Sequence, residues 1–111
     1  MARVEDDTLI LESEYEWDRV TRLLDNPTAK QIIRVLSGSG REWSVLELAR
    51  AIGKAKSTVS EVLKKLRDAG ILEATIMFIC EGANIIEPYK LHRLRVRRIR
   101  FKDNVIELDG I

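Results

Sequence analysis

Two apolar stripes at helical spacing, divided by one glycine and closed by another, constrain the fold of this chain most strongly. One stripe runs from Val45 to Ile52 and the other from Val59 to Leu66, with apolar residues recurring three or four positions apart. Such a stripe is typical of a helix that buries one side. Gly53 and Gly70 follow the stripes, and glycine readily adopts the positive φ at which helices end. The sequence therefore predicts two short helices joined by a tight turn.

After Gly70 the pattern changes from a helical to an extended one. Ile71 to Cys80 is rich in β-branched and apolar residues, and Glu81 to Asn84 supplies turn residues, so a strand entering a hairpin loop is predicted. From Leu91 to Phe101 apolar and basic residues nearly alternate. The doublet Arg97-Arg98 shifts the phase of that alternation, which predicts a bulge or bend.

A further short hairpin is predicted at the end of the chain. Lys102 to Asn104 has turn residues, and Val105 to Leu108 has the composition of a strand. This hairpin would set Glu107 against Arg98 or Arg100, where opposite charges on paired strands stabilise a sheet.

Two capping signals predict two more helices ahead of the glycine-joined pair. Ser13 and Glu16 have the spacing of a capping box, so a helix is expected from about Glu14 to Leu24. Asn26-Pro27 is an N-cap followed by a first-turn proline, and a second helix is expected from Pro27 to about Leu36.

The segments that flank these two helices are less regular. Ser37 to Gly40 contains two serines and two glycines, and we expect a loop there. Thr8 to Leu11 fits a short strand or an arm, and the sequence does not distinguish between them.

Charge is distributed unevenly along the chain, although the formal net charge is only +1. Met1 to Asp18 carries seven acidic residues and one basic residue, whereas Lys90 to Lys102 carries seven basic residues and no acidic one. We interpret the acidic start as a solvated arm and as a helix first turn, where carboxylates favour the macrodipole. The alternative is that it pairs with the basic strand across a dimer.

Composition bounds the class of protein. A length of 111 residues with 45% hydrophobic residues fits one folded domain. The longest nearly apolar run, Ala74 to Cys80, is too short to span a membrane as a helix, and no secretory signal is visible, so we expect a cytoplasmic protein.

Cys80 is the only cysteine, which excludes an intrachain disulfide, and we expect it to pack as a small hydrophobe. No phosphate loop, metal-spaced His-Glu pair or Cys-His couple appears, so we expect no catalysis, cofactor or metal.

The order of elements, two helices joined at a glycine and followed by a hairpin, is that of a winged helix-turn-helix. Leu48 to Gly53 reads LARAIG, Ser57 to Ser60 reads STVS, and Leu63 to Leu72 reads LKKLRDAGIL. The sequence with these segments closely resembles that of ArsR-like and MarR-like transcriptional regulators over roughly Asp25 to Leu72. The resemblance implies an α+β fold, mainly α, with three to four helices, a C-terminal β-hairpin wing and a possible extra terminal hairpin.

The resemblance also implies an organisation and a function. We expect an arm and helix at 1–24, the winged helix at 25–98 and terminal strands at 99–111, all in one domain. We expect a homodimeric regulator that binds double-stranded DNA sequence-specifically, with the helix after Gly53 in the major groove and the hairpin on the backbone or minor groove. The alternatives are a protein-interaction module in a transcription, replication or segregation complex and a general architectural DNA binder.

Small hydroxyls and lysines dominate the side of the helix after Gly53 that lies opposite its apolar stripe. Hydroxyls near the start of such a helix can approach base edges, and lysines neutralise phosphates. The expected base readers are Ser57, Thr58 and Ser60. The expected phosphate contacts are Lys54, Lys56, Lys64 and Lys65. Glu61 either accepts a hydrogen bond from cytosine N4 or repels the backbone.

Five residues outside this helix are also expected at the DNA. Arg41 and Ser44 begin the helix that crosses the backbone. Lys90, Arg93 and Arg95 share the expected wing strand, where arginine favours a narrow minor groove. The alternative for the wing residues is a solvated strand face.

The chain departs from its family at three points. Ala55 stands where the family usually has serine or another N-cap residue, so the recognition helix lacks a side-chain cap unless it begins later or a phosphate completes it. Strands replace the C-terminal dimerisation helix of ArsR-like proteins, and we expect dimerisation around Trp17, Val20 and Leu24 instead. The family's metal-sensing residues have no counterparts, so no effector is implied.

Overall fold

The computed structural model describes residues 2–82 and 84–111, without the side chains of 79–81 and 84–87. Its four α-helices are α1 (Glu14–Leu24), α2 (Pro27–Gly38), α3 (Val45–Ile52) and α4 (Lys56–Asp68). Its strands are β1 (Arg3–Glu5), β2 (Thr8–Ile10), β3 (Trp43–Ser44), β4 (Leu72–Glu81), β5 (Asn84–Leu94), β6 (Arg98–Phe101) and β7 (Asn104–Glu107). A single 3-10 turn, Leu108–Gly110, follows β7. The predicted α+β fold with a winged helix-turn-helix and an extra terminal hairpin is confirmed.

Side-chain caps determine where the first three helices begin. Ser13 and Glu16 form the predicted capping box at α1, and Asn26 Oδ1 accepts from the N–H groups of Thr28 and Ala29 at α2. The expected loop from residue 37 was wrong in part, because α2 continues to Gly38. Buried Leu36 anchors this last turn, and the Ser37 hydroxyl donates to the Arg34 carbonyl at 3.3 Å.

The two glycines behind α3 and α4 act as predicted. Gly53 has φ 69° and Gly70 has φ 83°, a backbone region that other residues enter at a cost. Space is also short at Gly70, where an added Cβ would lie 3.4 Å from Arg95 Nη1 and 3.5 Å from Leu9 Cδ1. Gly53 thus sets the turn between α3 and α4, and Gly70 turns the chain into the wing.

The wing is a long antiparallel hairpin of β4 and β5, with β3 on the other side of β5. β3 pairs only with Leu91 and His92, near the base of the hairpin, so the rest of the hairpin is two-stranded. Gly82 takes φ 63° in the predicted turn. Ala83 of that turn and the packing of the Cys80 side chain lie outside the described residues.

A second sheet, in the order β1-β2-β6-β7, joins the two ends of the chain. The acidic start is therefore not the expected solvated arm: Asp6 and Asp7, both at positive φ, form a two-residue turn between β1 and β2. β2 then pairs in parallel with β6 of the same chain. The predicted terminal hairpin is present as β6 and β7, with Arg98 Nε 3.0 Å from Glu107 Oε1.

A bend at residues 95–97 separates the two sheets. It satisfies the predicted phase shift, because Val96 before it and Ile99 and Phe101 after it are all buried. Arg95 N–H donates to the Ile71 carbonyl and Arg97 N–H to the Asp7 carbonyl, so the backbone at the bend remains hydrogen-bonded. The chain thereby leaves the wing and enters the terminal sheet without breaking the core.

One core is shared by the helices and the terminal sheet, and this corrects the expected dimer face on α1. Val20 and Leu24 are 2% and 6% exposed within the protomer, and Trp17 stacks on Phe101 with ring centroids 5.8 Å apart. Val20 and Leu24 are therefore not available for an intermolecular contact, whereas Trp17 is only partly buried. The sequence pattern of α1 was right about burial and wrong about what α1 packs against.

Candidate nucleic-acid interface

Helix α4 has one buried and one exposed side, as the sequence predicted. Val59, Val62, Leu63 and Leu66 lie in the core. All the predicted contacts on or just before this helix are exposed, namely Lys54, Lys56, Ser57, Thr58, Ser60, Glu61, Lys64 and Lys65. The exposed side therefore carries three hydroxyls and three lysines around one carboxylate, within a helix of about 20 Å.

The first turn of α4 has free donors. Ala55 is the N-cap residue, with extended backbone (φ −63°, ψ 142°), and no side chain caps the helix. Its carbonyl accepts from Val59 N–H at 3.1 Å, so the α-helical ladder starts normally. The N–H groups of residues 56–58 precede the first intrahelical donor and point out of the helix start. Such an end attracts anions, because the macrodipole and the free donors act together.

The residues at the start of α3 are engaged within the protein. Ser44 accepts from Glu47 N–H, and the Glu47 carboxylate accepts from Ser44 N–H at 3.0 Å, which completes a capping box. The hydrogen bond from the Ser44 backbone lowers the pKa of Glu47, and Arg41 lowers it further. Arg41 Nη1 lies 3.0 Å from Glu47 Oε2, and its guanidinium stacks 3.6 Å above the Trp43 ring. Arg41 is thus held flat at the foot of α3.

The wing arginines lie at the base of the hairpin. Arg93 Nε is 2.6 Å from Glu73 Oε1 and Arg93 Nη1 is 3.8 Å from Glu42 Oε1. Exposed ion pairs contribute only about 0–1 kcal/mol, so Arg93 can exchange these carboxylates for a phosphate at little cost. Arg95 is exposed and lies over Gly70, and Lys90 is exposed opposite Ile76.

A cleft of about 530 Å³ brings three of the predicted residues together. Arg41, Arg93 and Arg95 line it with Arg97, which the sequence analysis left out, and Asp7, Glu42 and Asp109 also line it. The cleft lies where α2 ends and the bend at 95–97 begins. Arg97 escaped detection because its partners come from distant parts of the chain.

A second basic group adjoins α4. Arg19 and Arg22 of α1 share a cleft with Lys65 and Asn26. The sequence analysis predicted that α1 packs through its apolar side and assigned no role to its arginines. A three-residue spacing of two arginines on the polar side of α1 was the signal available.

A buried histidine connects α4 to the wing. His92 of β5 is 0% exposed, with Nε2 2.7 Å from Arg67 Nη1 and Nδ1 3.3 Å from the Trp43 carbonyl. Because a guanidinium only donates, Nε2 must be the bare nitrogen and Nδ1–H donates to Trp43. Burial lowers the pKa of His92 to about 4, and the neighbouring Arg67 charge acts in the same direction. Within the described residues, no group of three His, Cys, Asp or Glu side chains could hold a metal ion.

The end of the hairpin is apolar, whereas the sequence analysis expected a basic wing. From Ala74 to Tyr89 the chain has no lysine or arginine, and Ile76 and Phe78 are exposed there. Basic residues occur only at its base, from Lys90 onward. No helix in the described part of the chain is long and apolar enough to cross a bilayer.

A glycine-joined helix pair with a polar, hydroxyl-bearing second helix and a hairpin behind it defines the winged helix-turn-helix fold. A family model described as a helix-turn-helix domain matches residues 24–75, from the end of α1 into β4. The chain is thus a winged helix-turn-helix protein, similar to ArsR-family transcriptional regulators. Comparison with curated protein sequences gives no significant match.

Solved structures agree with this assignment. The homodimeric winged helix-turn-helix DNA-binding domain Mb0332 of Mycobacterium bovis, a possible ArsR-family transcriptional regulator, is 27% identical with a TM-score of 0.56. That alignment covers 74% of this chain and 66% of that one, about two thirds of its length. The transcriptional repressor BigR of Xylella fastidiosa is 26% identical over 73% of this chain and 71% of its own, with a TM-score of 0.54. HlyU of Vibrio cholerae, at 21% identity over 73% of this chain and 76% of its own and a TM-score of 0.54, shares the fold.

Proposed function

We propose that the protein regulates transcription as a homodimer that binds double-stranded DNA, with α4 in the major groove. The observation that carries the proposal is the exposed side of α4, where hydroxyls, lysines and an uncapped helix start lie together. The homodimeric state of the similar Mb0332 domain supports a dimer here. The proposed function needs neither catalysis nor a cofactor and places the protein with DNA in the cytoplasm.

The proposed roles follow from position on α4. Ser57, Thr58 and Ser60 lie in its first two turns and would contact base edges, since small hydroxyls permit close approach. The free N–H groups at the helix start and the lysines 54, 56, 64 and 65 would bind phosphates. Glu61 lies between these groups and would accept from a cytosine N4 or weaken binding to unrelated sequences.

The base of the wing and the foot of α3 would supply the remaining contacts. We propose phosphate or minor-groove contacts for Lys90, Arg93 and Arg95 and a backbone contact for Arg41. Ser44 already caps α3 with its hydroxyl, so its proposed contribution is to orient the start of α3 on the DNA backbone.

A salt titration with random and selected duplexes tests the function. A steep log-log dependence of affinity on salt together with strong site preference is the expected result for a regulator. The same slope without preference would indicate an architectural protein. Absence of binding to every duplex would favour the alternative, a winged helix that binds protein partners.

Two lysine substitutions test the placement of the interface. Lys56→Ala with Lys64→Ala should flatten the salt slope by about 0.9 per lost phosphate contact, because each contact releases a condensed counterion. Lys102→Ala, in the turn of the terminal hairpin, is the matched control and should leave the slope unchanged. An unaltered slope in the double variant would show that α4 does not face the DNA.

A further inference from the structure

The outer part of the wing exposes apolar side chains on both of its faces. Ile76 and Phe78 project from one face at 54% and 59% exposure. Met77 and Tyr89 are directly paired across the strands and project from the other face at 38% and 39%. A hairpin that packed one face on its own domain would not expose large apolar groups on both. This part of the wing therefore has no partner among the described residues of its own chain.

The chemistry of this surface does not fit DNA. The segment from Ala74 to Tyr89 contains two glutamates and no basic residue. It carries no lysine or arginine to neutralise phosphates, which supply the electrostatic part of DNA affinity. Together the four described side chains expose on the order of 400 Å² of largely apolar surface, divided between the two faces of the hairpin.

The two edges of the hairpin differ in what they can accept. On β5, Pro88 has no N–H to donate and β3 covers Leu91 and His92, so an added strand has little to pair with. β4 is the outer strand of its sheet and has neither proline nor charge from Ala74 to Cys80. A long, uncharged, apolar edge of this kind accepts another strand readily.

We propose that β4 pairs antiparallel with β4 of a second copy of the chain, so that the two wings form the dimer interface. The proposal rests on the homodimer of the proposed function and specifies its interface. Two identical antiparallel strands are related by a two-fold axis, the symmetry of most homodimers. The same strand edge meets itself, which matches the absence of charge from Ala74 to Cys80.

Other exposed apolar residues do not offer an equivalent surface. Tyr15, Leu46 and Val105 lie on three different elements, α1, α3 and β7. On α1, Val20 and Leu24 are buried within the protomer, and Trp17 is partly buried against Phe101. Pairing β4 with its copy satisfies the backbone groups of the outer strand and brings Ile76, Met77 and Phe78 beside their counterparts on the neighbouring strand.

This arrangement also has a consequence for DNA spacing. If the pairing is centred on Met77, the two copies of Leu72 at the bases of the wings lie ten residues of strand apart, about 33 Å. Each recognition helix leads directly into its wing at Gly70. The pairing therefore holds the two copies of α4 at a fixed separation, and a site of two half-sites with one preferred spacing is the corresponding expectation.

Charge reversal tests the interface without relying on one variant. Ile76→Lys with Phe78→Lys, and separately Ile76→Glu with Phe78→Glu, place like charges across the two-fold axis. Each variant alone should sediment as a monomer of 12.7 kDa at a concentration where the unaltered chain is a dimer. Mixed in equal amounts, the two should form a dimer again, which a merely unfolded variant would not do. Val105→Lys is the matched control and should stay dimeric.

The outcomes separate this proposal from the DNA-binding function. The monomeric variants should bind a single half-site with the same salt slope as the unaltered chain on that half-site. Their affinity for the site with two half-sites should fall at least tenfold. A dimer that persists in both charge variants, or an unaltered chain that is monomeric, overturns the interface. So does hairpin-dependent binding of the monomer to vesicles of phosphatidylcholine and phosphatidylglycerol, which would assign the patch to a membrane. If the variant with Lys56→Ala and Lys64→Ala lost DNA binding and remained a dimer, that result would bear on the proposed DNA-binding function and leave the proposed interface standing.

Discussion

At the scale of single residues, the start of α4 shows that a missing helix cap can be recognised in the sequence. Most helices of this chain are capped by a serine or asparagine, and α4 is the exception among the described helices of three turns or more. The sequence identified this at Ala55, because cap residues are local and read directly from the chain. The structure adds that Ala55 itself occupies the cap position and that the helix begins at Lys56.

Ala55→Ser should stabilise the free protein. A serine there can accept from an N–H group of the first turn, which is worth about 1 kcal/mol and raises Tm by roughly 4 °C for a domain of this size. Ala51→Ser, at an exposed position inside α3, is the matched control and should bring no gain, because serine caps helices but does not favour their interiors. Thermal unfolding by circular dichroism measures both. Equal melting temperatures for A55S and the unaltered chain would contradict the idea that the cap is missing.

At the scale of elements, the attachment of α4 to the wing rests on a contact that the sequence could not show. His92 of β5 is buried and has a structural role in this attachment. Its partners, Arg67 and Trp43, are 25 and 49 residues away along the chain. No spacing rule relates such positions, so only the packed fold could bring the three together.

The buried His92 should make stability depend on pH. Its folded pKa of about 4 lies below the ordinary histidine value of 6.5, so the unfolded chain binds the proton first as pH falls. The stabilisation is therefore complete above about pH 6.5 and decreases toward pH 4, by roughly 3 kcal/mol at most. His92→Gln preserves an acceptor for Arg67 and a donor for Trp43 but does not titrate. Urea unfolding at about pH 7 and pH 4.5 should show a smaller difference for the variant. The same difference in both proteins would exclude His92 as the titrating group.

At the scale of the whole molecule, the terminal sheet joins both chain ends to the winged-helix core. Leu9 of β2, Ile99 of β6 and Leu108 after β7 are all buried with the helices. Trp17 reports on this region through its contact with Phe101, whereas Trp43 lies in the wing sheet. The chain should therefore unfold as one unit, in line with the expected single domain.

Single-tryptophan variants test this cooperativity. Trp17→Phe leaves Trp43 as the only fluorophore, and Trp43→Phe leaves Trp17. In urea, each variant should show a fluorescence transition that coincides with its own circular dichroism transition, as a two-state domain requires. A Trp17 transition well ahead of the loss of helix would mean that the terminal sheet is a separate unit.

The sequence by itself determined the helices, their caps, the glycine turns, the polar side of α4 and the terminal hairpin. These features depend on residues a few positions apart, so periodicity and capping rules reach them. It also predicted the bend at Arg97, because a change of phase shows where a strand must turn to keep its apolar side buried.

Only the tertiary structure decided the remainder. The parallel pairing of β2 with β6 unites segments that are separated by the entire winged helix, and no local pattern encodes that. Burial of Val20 and Leu24 within the protomer removed α1 as a dimer face, because an apolar stripe records that a side is covered but not by what. The exposed polar side of the segment from Lys54 to Arg67 was predictable from the sequence, whereas the free edge of β4 became visible only once the strand order was known.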